Sequence, residues 1–164
     1  EGVLASASWD KSVKLWKDGS LLCTLRGHEN YVRCVAWTFD GAILASGSDD
    51  KTVRLWSKDG AFKSTLKGHS SQWSGMVNAV AWSGDGSTLA SCSEDHTVKL
   101  WTKDGAIKCS LTGHEKDVVG VAFSGSMLAS VSADRTLKIR DSCTEDPKTE
   151  MAVESPEVLA LRRE

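Results

Sequence analysis

No run of apolar residues in this chain is longer than a β-strand, which excludes a helical membrane span. No basic stretch leading into an apolar core opens it, so a secretory signal is not expected. Basic residues are not in excess: 20 Lys and Arg stand against 22 Asp and Glu, without the cationic footprint of a nucleic-acid binder. No segment has the helical periodicity or length of a crossover helix, so a parallel α/β fold is excluded. The five cysteines (Cys23, Cys34, Cys92, Cys109 and Cys143) are odd in number and include no CxxC pair. Neither a disulfide framework nor a zinc site is expected. Four of these thiols fall in strand-like segments as small hydrophobes, and a reducing compartment, cytoplasmic or nuclear, fits best. A GxxxxGK loop, an HExxH pair and a cluster of Cys and His ligands are all missing, so neither cofactor nor metal is expected.

What the chain does have is a cassette returning at intervals of roughly forty residues, the signature of a repeat architecture. Gly-His recurs at Gly27-His28, Gly68-His69 and Gly113-His114, and strand-like endings close at Trp16, Trp56 and Trp101. The second unit shows the plan. Strands are predicted at residues 31–39, 43–48, 52–56 and 61–66, separated by turns at Asp40-Gly41, Asp49-Asp50 and Lys58-Asp59-Gly60. The small residues of 43–48 suit a crowded interior, and the β-branched and aromatic residues of 52–56 alternate in and out. Such a four-stranded meander is not stable alone, so its faces must stack on neighbouring units. That arrangement predicts an all-β propeller, with a sandwich as the fold-level alternative.

The predicted boundaries are a partial blade at 1–26, full blades at 27–67 and 68–112, a partial blade at 113–141, and an acidic tail at 142–164, disordered or loosely docked. The tail holds both prolines, and its end from Pro156 to Glu164 has the composition of a short helix. About 3.5 to 4 blades is marginal for self-closure, because closed rings use roughly four to eight. The favoured expectation is a fragment or open arc of a larger propeller. The other is a homodimer in which two chains close one ring.

Three Gly-His pairs, four turn aspartates and three strand-end tryptophans in register make residues 1–141 resemble the WD40 repeat family. The resemblance implies a buried hydrogen-bond network in each blade, joining His, a strand Ser, the turn Asp and the Trp. Those sets are His28, Ser46, Asp50 and Trp56; His69, Ser91, Asp95 and Trp101; and His114, Ser130 and Asp134, where Arg140 takes the place of Trp. The first unit offers Ser6, Asp10 and Trp16 without a histidine. Where the family ends a strand in Trp-Asp, this chain follows its tryptophans with Lys17, Ser57 and Thr102. In physical terms, Asp orients His by accepting one ring N–H, while the other ring nitrogen accepts from Ser. Ser46 and Ser48 point to the same face, so the choice between them stays open. A guanidinium replacing an indole buries a charge unless it finds solvent or an acid, so the last blade is expected to be looser.

A His–Ser–Asp trio that recurs once per unit is structural, since catalysis needs one positioned nucleophile in an open cleft. No catalytic residue is expected. His96 lies outside the set, in a turn, and reads as an exposed histidine. The Asp-Gly turns bring too few oxygens together for calcium.

The predicted function is a non-catalytic protein-interaction scaffold, or else a regulatory or substrate-recruiting segment of a larger multidomain enzyme or complex. The resemblance places partners on the face carrying the Asp turns and the starts of the innermost strands. The turn positions are Trp9, Asp49 and Glu94. The strand starts are Tyr31 and Arg33, then Met76 and Asn78, then Asp117 and Val119, and a longer loop in the third unit adds Trp73. Trp9, Tyr31, Arg33 and Trp73 are the sharpest candidates, because aromatic and arginine residues dominate interface hot spots. The acids Asp49, Glu94 and Asp117 point to a basic protein or peptide partner, while neither nucleic acid nor a membrane is expected.

Overall fold

The computed structural model describes residues 2–71 and 74–141, together with the backbone of Thr149–Ala152. Among the described residues, fifteen antiparallel strands form four successive sheets. The first holds β1 (Leu4–Ala7), β2 (Ser12–Lys17) and β3 (Ser20–Arg26). The second holds β4 (Val32–Trp37), β5 (Ile43–Ser48), β6 (Thr52–Ser57) and β7 (Phe62–Lys67). The third holds β8 (Val77–Trp82), β9 (Thr88–Ser93), β10 (Val98–Thr102) and β11 (Ile107–Leu111). The fourth holds β12 (Val118–Ser124), β13 (Met127–Ser132), β14 (Thr136–Asp141) and β15 (Thr149–Ala152).

Each interior lies between neighbouring sheets rather than within one. Val13, Leu15 and Leu25 of the first sheet meet Val32, Leu44 and Trp56 of the second. Ile43, Val53 and Leu55 on the opposite face of the second meet Val77, Val80, Leu89 and Trp101 of the third. Leu100 and Leu111 of the third meet Val118 and Leu128 of the fourth. Fully burying each such Val or Leu contributes about 1.5–3 kcal/mol, so stacking supplies what a lone meander lacks. The small residues of β5 have a steric reason. A Cβ at Gly47 would lie 2.6 Å from the Cys34 thiol and 2.7 Å from Val77. The sheets form an open arc of propeller blades, and the sandwich alternative falls away.

The turn after the second strand of each blade repeats atom by atom. In the second blade the Asp50 Oδ1 accepts from both the N–H and the hydroxyl of Thr52, at 3.0 and 2.7 Å. Asp95 with Thr97, Asp134 with Thr136, and Asp10 with Ser12 do the same. The residue between them takes a left-handed conformation, with φ of 69° at Lys11 and Lys51, 67° at His96 and 68° at Arg135. The side chain of the preceding Asp stabilises that geometry locally.

One departure from expectation stands out. Thr149–Ala152 falls in the stretch expected to be a tail, yet it pairs with β14 from Thr136↔Ala152 to Ile139↔Thr149 and completes the fourth sheet. The outer edge of β14 offers unpaired backbone groups, and a short strand needs little sequence pattern to satisfy them. The region from Pro156 to Glu164 lies outside the described residues. The first sheet has three strands. Its LASA strand matches β5, β9 and β13, so the position missing among the described residues is the innermost one. Trp82 Nε1 donates to the Ala36 carbonyl on the inner strand of the preceding blade, at 3.2 Å. Trp37 stands in the same place on β4, faces the first blade, and its buried Nε1 has no acceptor there.

Candidate functional site

The recurring polar residues form buried relays. Trp56 Nε1–H donates to Ser46 Oγ at 2.9 Å, and Ser46 Oγ lies 2.8 Å from His28 Nε2. His28 Nδ1 is 2.7 Å from Asp50 Oδ2. The Asp50 carboxylate can only accept, so His28 donates to it from Nδ1–H, and in the neutral ring Nε2 then accepts the Ser46 O–H. The third blade repeats this in Trp101, Ser91, His69 and Asp95, at 2.8, 2.7 and 2.8 Å along the relay. The first Ser of each pair therefore joins the relay. The second serves the turn: Ser48, Ser93 and Ser132 accept the N–H of Asp50, Asp95 and Asp134.

In the fourth blade His114 reaches Asp134 and Ser130, both at 2.9 Å, but no indole closes the chain. Arg140 is 3% exposed, and its Nη2 donates to the Thr112 carbonyl at 2.6 Å. In the first blade Trp16 donates to Ser6 at 2.9 Å, while Asp10 bonds within its turn and lies 4.0 Å from Lys14. The Gly of Gly-His has its own reason. A Cβ on Gly68 would lie 3.0 Å from the Trp101 ring, so the loop crosses the indole with no room for a side chain.

The relay aspartates hold their charge against burial. Burial raises the Asp95 carboxyl, but hydrogen bonds from His69 and Thr97, and the His69 ring nearby, outweigh it and hold it at about 2. Asp50 and Asp134 are likewise held well below the ordinary carboxylate range, burial being overcome by donors from His28, Thr52 and Glu29, and from Thr136, Glu115 and His114. None of these trios presents a nucleophile to solvent, since every relay serine and histidine is buried. Burial pushes the Cys34 and Cys92 thiols up to about 12, so neither is a nucleophile.

The surface candidates converge on the face bearing the Asp turns. Identical backbone bonds bring each turn to an inner-strand start: Asp49 N–H to the Tyr31 carbonyl, Glu94 to Met76, and Ala133 to Asp117. Trp9 of the first blade stacks on Tyr31 of the second, with centroids 5.3 Å apart and planes 11° apart. Both rings stay open, Trp9 at 73% and Tyr31 at 43% exposure. Beside them the Arg33 guanidinium grips Asp49 with Nε and Nη2, the latter at 3.2 Å. It also meets Asn78 Oδ1 and Met76 Sδ, each at 3.4 Å, and lies 3.9 Å from Glu94. Asn78 in turn donates to the Val118 carbonyl at 3.0 Å, carrying the network into the fourth blade. Asp117 lies 3.6 Å from His96, and Val119 is exposed nearby. Trp73 lies outside the described residues.

This cluster adds bonds to the reading of four candidates. Arg33, Asn78 and Met76 tie adjacent blades together, and Asp49 is largely neutralised by Arg33, so the acidic character of the face falls mainly to Glu94 and Asp117. Sequence reasoning could name these residues but not their bonds, because partners 43 and 45 positions apart leave no local pattern. Among the described residues no group of three His, Cys, Asp or Glu side chains converges to hold a metal, and no helix is long and apolar enough to cross a membrane.

Comparison with known proteins agrees with this geometry. The family model for the WD domain, G-beta repeat, matches residues 1–17, 19–57, 60–102 and 105–141. The solved WD40 beta propeller domain of Doa1 superposes with a TM-score of 0.81 at 30% identity, covering 94% of this chain and 52% of that one. Among curated proteins, a probable cytosolic iron-sulfur protein assembly protein 1 of Kluyveromyces lactis is 40% identical over 55 residues. That match covers 26% of this chain and 16% of the relative. WD repeat and SOCS box-containing protein 1 of Danio rerio is 44% identical over 45 residues, covering 26% and 11%. The chain thus matches a small part of these relatives and about half of the solved propeller.

Proposed function

The chain belongs to the WD40 repeat family, and from that premise we propose that it captures a protein partner on the face where Trp9 and Tyr31 stack. The repeat region is a non-catalytic scaffold for protein–protein interaction, with its His–Ser–Asp sets buried as blade ties. One observation carries the placement of the partner: two aromatic rings lie open to solvent in a stacked pair at a blade junction, beside a guanidinium already fixed by its neighbours. Large exposed rings held rigid lose little entropy on binding, which is what interface hot spots require. Glu94 and Asp117 favour a basic segment in that partner, which can lay a Lys or Arg over the open face of Trp9. The thiols of Cys23, Cys34 and Cys92, which are not in disulfides, support a reducing compartment, cytoplasm or nucleus.

An array of Lys/Arg-rich peptides and their Glu-substituted counterparts tests this. Preferential retention of the basic set, lost in Trp9→Ala with the unfolding midpoint unchanged, is expected. Equal retention by wild type and Trp9→Ala removes this face as the binding site. The second reading, a substrate-recruiting segment of a larger assembly, draws on the name of the Danio rerio relative, which couples WD repeats to a SOCS box. A further domain in the intact protein is the observation that would favour it.

A further inference from the structure

We propose that the outer half of the second blade carries a binding site for a phosphate group, separate from the aromatic face. The register of β6 and β7 sets Thr52 opposite Lys67 and Arg54 opposite Thr65. Residues two apart on a strand share a face, so these four form one patch with its two cations on the diagonal. Lys51, in the left-handed turn position, stands at its edge. Together with Glu29, Asp50, Gly68 and His69 they surround an open cavity of about 490 Å³.

The cations in this patch are unanswered. Among the described residues Lys51, Arg54 and Lys67 make no ion pair, and the Arg54 Nε–H is buried without an acceptor. Its guanidinium is nevertheless held in place, 5.5 Å from the Phe62 ring and so close over Gly27 that a Cβ there would meet Nη1 at 2.5 Å. Neighbouring blades resolve the same position internally. Lys99 donates to Ser110, the residue opposite it, at 2.8 Å, and Lys14 lies 4.0 Å from Asp10. The second blade keeps the charge and leaves out the answer.

Two carboxylates also line the cavity. Asp50 is already taken up, Oδ1 by Thr52 and Oδ2 by His28 and the Glu29 N–H. Glu29 remains as an opposing charge at the rim. The guanidinium fork, two ammonium groups and the Thr65 hydroxyl are donors that suit an anion with several oxygens, and phosphate meets that requirement better than a single carboxylate. The cavity leaves room beyond the phosphate for what carries it, so the group can arrive on a phosphorylated side chain or as free phosphate.

The test follows the Arg54 Nε–Hε signal and the amides of residues 51–54 and 65–68 by ¹⁵N NMR, titrating inorganic phosphate against sodium chloride at matched ionic strength. A saturable shift with phosphate alone is expected, weakened on the order of tenfold in Arg54→Gln and in Lys67→Gln, and strengthened in Glu29→Gln. Lys67 is exposed, so its variant keeps the test valid if Arg54→Gln does not fold. Shifts that chloride reproduces, or that survive both substitutions unchanged, overturn the proposal. A phosphothreonine peptide, run beside its unphosphorylated form, assigns the source. Tighter binding than inorganic phosphate means a phosphorylated protein segment, and weaker binding means the free ion; either order supports the site.

Discussion

The third and fourth blades share a sequence plan and differ at the end of one strand, Trp101 in one and Arg140 in the other. Both residues are buried, at 2% and 3% exposure. Trp101 turns inward and closes a relay running through Ser91 and His69 to Asp95. Arg140 turns its fork to the Thr112 carbonyl and leaves the relay to end at Ser130. The Asp–His bond and the turn bonds recur in both blades, the fourth adding a contact of the Thr136 hydroxyl with His114 Nδ1 at 3.1 Å, and the strand end differs. The relay is therefore two devices joined at the serine: an Asp–His clasp that fixes the turn, and an indole that locks the clasp to the third strand.

Exchanging the two residues gives the largest expected effect. Trp101→Arg should lose about 3–5 kcal/mol in urea unfolding, because it deletes a packed indole and buries a charge together. A loss below about 1 kcal/mol would mean that the blade accepts either residue equally. Next is the clasp. His69→Ala leaves the Asp95 carboxylate buried without its main donor, and about 2–4 kcal/mol should disappear. His114→Ala should lose less, since it has no indole-locked serine behind it. Equal losses would make the Trp irrelevant to the clasp. The serines come third. Ser91→Ala orphans an indole N–H and should cost about 1–3 kcal/mol, whereas Ser130→Ala orphans none and should cost visibly less.

The smallest effect is the pH dependence, where the two blades should agree. The Asp95 carboxyl sits at about 2 in the folded protein against an ordinary 3.8. A depressed carboxylate contributes stability above its unfolded value, and that contribution is lost as pH falls through the folded one. Stability should therefore decline between about pH 4 and pH 2. Asp95→Asn and Asp134→Asn should each flatten that decline while lowering stability at neutral pH. A decline unchanged in both variants would place its origin outside the clasps.

Much of this was legible from spacing alone. The period places every blade, and Asp50 with Thr52 announces its turn, because those bonds span two residues. The relay partners were recognisable by register, but Ser46 and Ser48 share a face, and only the position of the His28 ring separates their roles. Thr149–Ala152 escaped notice since an edge strand is held by backbone bonds, which carry no side-chain signature. Arg33 stood out in the sequence as a candidate for partner binding, but its bonds to Asn78 and Met76 on another sheet leave no local pattern. Nothing in the sequence pattern sets Arg54 and Lys67 apart from the other cations. Their significance appears only when cross-strand register sets them on one patch and shows Lys99 satisfied where Arg54 is not.

The central claim is that an indole at the strand end locks the clasp to its sheet. Native-state hydrogen exchange on wild type and Arg140→Trp tests it most directly, because the substitution offers Ser130 the N–H it lacks in exchange for the Arg140 bond to the Thr112 carbonyl. Slower exchange across β13 and β14 in the variant, approaching that of β9 and β10, is the predicted result. Exchange that is unchanged or faster, in a variant that still folds, would contradict it.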